Sequence, residues 1–242
     1  MIESALQKFA LMGASWVLYL LLAMSIFSIG IICERAMYFR SHSGEVEKLG
    51  SDLLRFLKAG DRHAAEALLQ ASRTIEAAIL LPALAWLDGG ADSVSEALES
   101  STVQKRGELE RGLTSLGTLG NNAPFVGLFG TVIGVIQAFH MLGANGGGGN
   151  QAAMGNVIVA ISDALIATGV GLIVALPAVV GYNLAQKKVS SIENNVSVIS
   201  KQILALLKAD PKLLAEFAAL SEGVPEEETE GVVAAEEQPE LG

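Results

Sequence analysis

Between Gly112 and Gln186 this 242-residue chain carries a single formal charge, Asp163. Two apolar blocks, Ala123 to Leu142 and Ala153 to Tyr182, flank the uncharged, glycine-rich run from Gly143 to Asn150. A helix rises about 1.5 Å per residue, so ~20 residues cross the ~30 Å hydrocarbon core of a bilayer. Each block is long enough to cross, and together they predict a helical hairpin in a membrane. A carboxylate on such a span costs about 2.5–3.5 kcal/mol at mid-bilayer on insertion scales. Asp163 is therefore the residue whose presence most needs a reason.

Composition agrees with a membrane chain. Charged residues make up 17% of it and hydrophobic residues 51%, whereas soluble domains carry about 25% charged residues. The net charge of -10 comes largely from the C-terminal end and offers no basic face for nucleic acid. The lone Cys33 excludes an internal disulfide and a cysteine-rich metal site.

Read in order, residues 1–11 form a short amphipathic segment. No charge follows from Phe9 to Cys33, and Trp16 and Tyr19 mark an interface. A cleaved signal peptide would have a shorter apolar core and a small-residue cleavage site. Here Glu34-Arg35 and Arg40 follow instead, so 12–33 is read as a retained first span. Residues 34–119 read as a helical cytoplasmic domain. Leu49, Leu53, Leu54 and Leu57 recur at helical spacing, Asp61 is placed to cap a helix to Ala71, and a Pro82-containing helix runs from Thr74 to Leu87. A long helix is then expected from about Val94 past Arg111 into the second span, 120–142. The loop is 143–153, the third span 154–183, a C-terminal helix 184–221, and an acidic, disordered tail 222–242. Arg35, Arg40, Lys105, Arg106, Arg111 and Lys187-Lys188 all flank one side of the spans, and the glycine-rich loop has no Lys or Arg. The positive-inside rule puts the large domain and C-terminus in the cytoplasm and the N-terminus outside.

Small residues recur on one side of each hairpin span: Ala123, Gly127, Gly130, Thr131, Gly134 and Ala138 on the second, Ala160, Ala164, Ala167, Thr168, Gly171, Ala175 and Ala178 on the third. Spacings of three and four let backbones approach closely in lipid, within one subunit or around a shared axis. Catalytic motifs are missing: the sequence has no phosphate-cradling Gly-Lys-Ser/Thr loop, no HExxH helix and no paired CxxC. Neither an enzyme nor a bound cofactor or metal is expected.

The run Asn122-Ala123-Pro124-Phe125-Val126-Gly127-Leu128-Phe129-Gly130-Thr131-Val132-Ile133-Gly134 resembles the second-span signature of the ExbB/TolQ/MotA proton-channel family. Ile161 to Thr168 and Ala175 to Asn183 resemble its third-span signature. The likeness is closer to the ExbB and TolQ branch, because the MotA branch has four spans. It implies an all-α integral membrane protein of the bacterial inner membrane, a homopentamer around a central pore. The pore would enclose the spans of an ExbD/TolR-like partner dimer that supplies an intramembrane aspartate. A TonB-like or other envelope-spanning protein would take up the work. Threonines matching Thr131 and Thr168 line the pore in that family, and Asp163 stands where its members usually carry glutamate. Pro124, Gly127, Gly130, Gly134, Gly171, Pro177 and Asn183 are assigned to helix packing.

Each of these residues also has a structural reading. A threonine in a span often bonds its own helix carbonyl. Asp163 faces a pore, faces a neighbouring subunit, or makes a bond between helices. His140 reads as an interfacial residue or a proton relay, and Asn183 as an anchor or a pore residue. For the whole chain, a passive scaffold would use the small-residue stripes without Asp163 or the threonines. A substrate transporter would need more spans and internal repeats.

Overall fold

The computed structural model describes residues 15–144 and 151–210, together with Phe217. Among the described residues seven helices follow one another: α1 (Ser15–Ser41), α2 (Val46–Lys58), α3 (Arg62–Ala71), α4 (Ile75–Leu84), α5 (Gly90–Leu109), α6 (Leu113–Ala144) and α7 (Gln151–Ala209). No strand occurs among the described residues. The expectations for segment 1–11, for most of the glycine-rich loop, for most of 211–221 and for the acidic tail fall outside them.

Among the described residues three helices are long and apolar enough to cross a membrane: Ser15–Ser41, Leu113–Gly143 and Met154–Ala209. Only 22–28% of the residues in their apolar windows are buried. Phe27, Phe125, Phe139, Leu165, Ile173 and Leu176 instead point outward, each more than half exposed. Apolar surface left in water forgoes about 25 cal/mol per Å², a penalty that disappears in lipid. The outward faces are therefore those of a membrane protein.

The chain divides into two compact units. The first holds the described residues of Met1–Ser41 and Leu109–Val189. There α1 lies along the α6–α7 hairpin, with Val17 and Leu21 buried among Ala123, Ile133, Val174 and Ala175. Further along, Ile31 is buried with Leu116 and Ala178, against which Ile32 and Tyr182 pack. Helix α1 continues past its apolar part to Ser41. Buried Arg35 donates from Nη2 to Glu34 at 2.7 Å, and its guanidinium sits 5.3 Å from the Tyr38 ring centre. Neutralisation and a ring face together let the helix carry its charge onward.

Two features differ from the expectation. The helix expected to run unbroken from Val94 past Arg111 is interrupted, because α5 ends at Leu109 and α6 starts at Leu113. Gly112 has φ 79°, a left-handed backbone that costs other residues about 1–2 kcal/mol. The Leu113 N–H returns to the Glu110 carbonyl at 2.9 Å, closing the turn. The third span and the segment after it, by contrast, form one uninterrupted helix. Lys187-Lys188 are good helix formers and do not break it.

The second unit holds the described residues of His42–Glu108 and Ser190–Gly242. Leu49, Leu53 and Leu57 form the buried stripe of α2, as their spacing predicts. The Asp61 carboxylate caps α3 by accepting from the Ala64 N–H at 2.9 Å, and the Thr74 hydroxyl oxygen accepts from Ala77 N–H at 3.3 Å to start α4. On α7, Ile192, Val196, Ile199, Ile203 and Leu207 are buried at spacings of three and four. Glu76 is only 3% exposed and accepts a hydrogen bond from Asn195 Nδ2 at 3.0 Å. A buried carboxylate requires such a donor.

Candidate functional site

Small residues bring α6 and α7 into backbone contact. A methyl group added at Gly127 would lie 2.9 Å from the Ala167 carbonyl oxygen, and one at Gly171 2.8 Å from the Ala123 carbonyl oxygen. At Gly130 it would meet the Ala167 methyl at 2.9 Å, and at Gly134 the Ala164 methyl at 2.5 Å. The two small-residue stripes thus face each other within one chain. The contacts also fix the antiparallel register: Gly134 opposes Ala164, Gly130 opposes Ala167, and Gly127 opposes Gly171.

That register puts Thr131 and Thr168 at one level of the hairpin. Thr168 Oγ1 donates across the hairpin to the Gly127 carbonyl at 3.0 Å. Thr131 Oγ1 donates within α6 to the Leu128 carbonyl at 2.6 Å. Each hydroxyl has directed its proton onto a backbone oxygen, and its lone pairs remain free to accept. Thr131 therefore bonds its own helix, the structural reading of a span threonine, whereas Thr168 bonds the neighbouring helix, which that reading did not include.

Asp163 sits next to Ala164 on α7, level with Gly134 and about one helical turn from the threonines. It is exposed on the single chain. It makes no hydrogen bond or ion pair with the other described residues. Pro124 is half-buried, while His140, Pro177 and Asn183 are exposed. No group of His, Cys, Asp and Glu among the described residues is placed to hold a metal ion.

Several contacts of the site escaped the sequence reading. Val17 of α1 reaches the Gly130 position at 3.2 Å, and Trp16 meets Phe129 edge-on with ring centres 6.2 Å apart. Ile32 occupies the space beside Gly181, and the Tyr182 ring the space beside Gly117. Gly117 and Gly181, small residues outside the two stripes, were the available signal.

The family model described as the MotA/TolQ/ExbB proton channel family matches residues 67–197, more than half of the chain and all of the threonine–Asp163 region. The chain belongs to this family. Within it, the similarity extends to an ExbB-like 2 protein of Helicobacter pylori, 45% identical over 80 residues, which are 33% of this chain and 51% of that protein. A biopolymer transport protein ExbB of Xanthomonas campestris pv. campestris is 41% identical over 99 residues, 41% of this chain and 38% of the relative. The Tol-Pal system protein TolQ of Pseudomonas aeruginosa is 38% identical over 96 residues, 40% of each. These relatives place the chain on the ExbB/TolQ branch. The matches span about half of the relatives' length or less.

Proposed function

We propose that this chain forms the channel of a proton-driven motor in the bacterial inner membrane. Asp163 carries the reading. An exposed carboxylate about 14 Å along α7 from Met154 would face hydrocarbon in a lone chain, at about 2.5–3.5 kcal/mol. A further protein surface or water must cover it, as it would be covered in a homopentamer around a central path. The large helical unit and C-terminus would lie in the cytoplasm, where the flanking Lys and Arg residues favour them.

The aspartate of an ExbD/TolR-like partner dimer would occupy that path. A carboxyl buried in low dielectric favours its neutral form, so protonation from one side and release to the other switches the surroundings it prefers. Each proton crossing 100 mV supplies about 2.3 kcal/mol from the potential alone. The lone pairs of Thr131 and Thr168 accept from the protonated acid or from a hydrated proton, and Asp163 sets the field one turn away. The work goes to the envelope: uptake through a TonB-like protein, Tol-type maintenance, or gliding motility.

Proton flux into liposomes holding the chain with its co-purified single-span partner tests this. Thr131→Val and Thr168→Val are each expected to abolish driven flux while the oligomer still assembles. Wild-type flux in both variants removes the threonines from the path. An intact oligomer in which the wild-type chain passes no ion is a scaffold.

A further inference from the structure

On the part of α6 nearer Leu113 the outward face is polar. Thr118, Asn121 and Asn122 are exposed there, and with Thr114, Gly117 and Tyr182 of α7 they line an open cavity of about 500 Å³. Their height follows from the contacts between helices. A methyl added at Gly120 would lie 2.7 Å from Val179, and one at Gly181 2.6 Å from Ile32. Asn121 is therefore level with Ala178 of α7 and Ile29 of α1, about 14 Å short of Lys187. Around this level the other two spans turn apolar side chains outward: Ile29 is 51% exposed, Leu176 66% and Val180 53%. One side of the unit is polar where the rest is made for lipid.

An amide at membrane depth needs a hydrogen-bond partner. Asn122 Nδ2 donates to the Thr118 carbonyl at 2.9 Å, but the Asn121 amide makes no hydrogen bond with the other described residues. Acyl chains offer it none. A partner span whose acid meets Thr131 lies elsewhere, because Thr118 and Asn122 stand about 140° and 180° around α6 from Thr131, and Asn121 about 80°. A second copy of the chain remains, and it carries a matching group. Copies around an axis along the membrane normal keep each residue at one depth, so the mate must stand near the height of the patch. A methyl added at Gly117 would lie 3.2 Å from the Tyr182 ring, which puts Asn183 within about 3 Å of the height of Thr118. Asn183 is exposed, and its amide too makes no hydrogen bond with the other described residues.

We propose that this face is where neighbouring copies meet, with Asn183 of one copy entering the cavity of the next between Thr118 and Asn121. It rests on the channel reading above and supplies the side chains that join the ring. Side chains on a helix lean toward its N-terminus. Helices α6 and α7 run in opposite directions, so Asn121 and the incoming Asn183 lean toward each other. Asn183 Nδ2 donates to the Thr118 hydroxyl oxygen, whose proton is already on the Thr114 carbonyl at 2.8 Å, and Asn121 Nδ2 donates to Asn183 Oδ1. A patch on α6 that meets a different patch on α7 makes a head-to-tail contact, which repeats from copy to copy and closes a ring.

The test co-expresses two differently tagged full-length chains with the partner, one carrying Thr118→Cys and the other Asn183→Cys, both in a Cys33→Ser background. The membranes are then oxidised with copper phenanthroline. A disulfide needs Cα atoms within about 7 Å, so a crosslinked pair holding both tags is expected, and none from either chain expressed alone. Asn121→Leu is expected to raise the concentration at which the oligomer dissociates about three- to tenfold, the scale of one hydrogen bond between spans, and Asn121→Gln to restore it. No mixed disulfide in an intact oligomer overturns the contact, and so does a disulfide among Thr118→Cys chains alone, which would pair the patch with itself. An oligomer as firm or firmer in Asn121→Leu shows that lipid covers the face, and this variant decides should the cysteine chains fail to assemble. Any of these results with wild-type proton flux leaves the channel reading standing, whereas a wild-type chain that is monomeric removes both.

Discussion

Gly127 and Gly171 owe their importance to what lies opposite them. The nearest atom to an added methyl is a backbone carbonyl oxygen in each case, at 2.9 Å and 2.8 Å, and a carbonyl in a helix cannot rotate away as a side chain can. Gly127→Ala and Gly171→Ala are each expected to destabilise the hairpin by about 1–3 kcal/mol. At Gly30 nothing lies within 4 Å of an added methyl, so Gly30→Ala should cost nothing and gain about 0.5–1 kcal/mol from helix propensity. Thermal unfolding of the detergent-solubilised protein ranks the three, and equal midpoints would refute the close approach. In the other unit, Asn195→Ala strips Glu76 of the amide donor at 3.0 Å and leaves a buried acceptor, at about 1–3 kcal/mol. Chemical denaturation followed by helix content reads that loss.

At the scale of elements, the turn at Gly112 decides where α5 stops and the second span begins. Gly112→Ala forces a Cβ into a left-handed backbone, at about 1–2 kcal/mol, and its methyl would meet Ile31 of α1 at 3.4 Å. The variant should unfold at a lower temperature than wild type; an unchanged midpoint would show that the turn relaxes without cost. This turn was not legible in the sequence, because a single glycine between Arg111 and Leu113 reads equally well as a helix interior. The spans and the two small-residue stripes were legible, because missing charge and three-four spacing are local signals that lipid leaves no other way to satisfy. The Glu76–Asn195 bond was not, since it joins residues 119 positions apart and depends on tertiary packing. That Thr131 and Thr168 fall within the family signatures was legible, but the direction of their hydroxyls was not. For Thr168 the direction follows from the register of α6 against α7, which the packing of Gly127, Gly130, Gly134 and Gly171 fixes, whereas Thr131 bonds within its own helix.

For the molecule as a whole, the channel reading divides the outward faces of the spans between water and lipid. Asp163 and Leu165 are both exposed on the same helix, but two residues turn an α-helix by about 200°, so they point to nearly opposite sides. If Asp163 borders an aqueous path, that side is wet in the assembled complex and the Leu165 side is dry. The chain's single cysteine makes this measurable, since Cys33→Ser gives a background without thiols. Only a thiolate reacts with a maleimide, and a thiolate needs water around it. In the full complex with its partner, Asp163→Cys is therefore expected to be labelled by a membrane-impermeant maleimide, and Leu165→Cys to remain unlabelled until detergent is added. Thr131→Cys, about one turn from Asp163, should follow Asp163 rather than Leu165. Labelling at Leu165 with protection at Asp163 would turn the carboxylate toward protein or lipid and remove it from the ion's route.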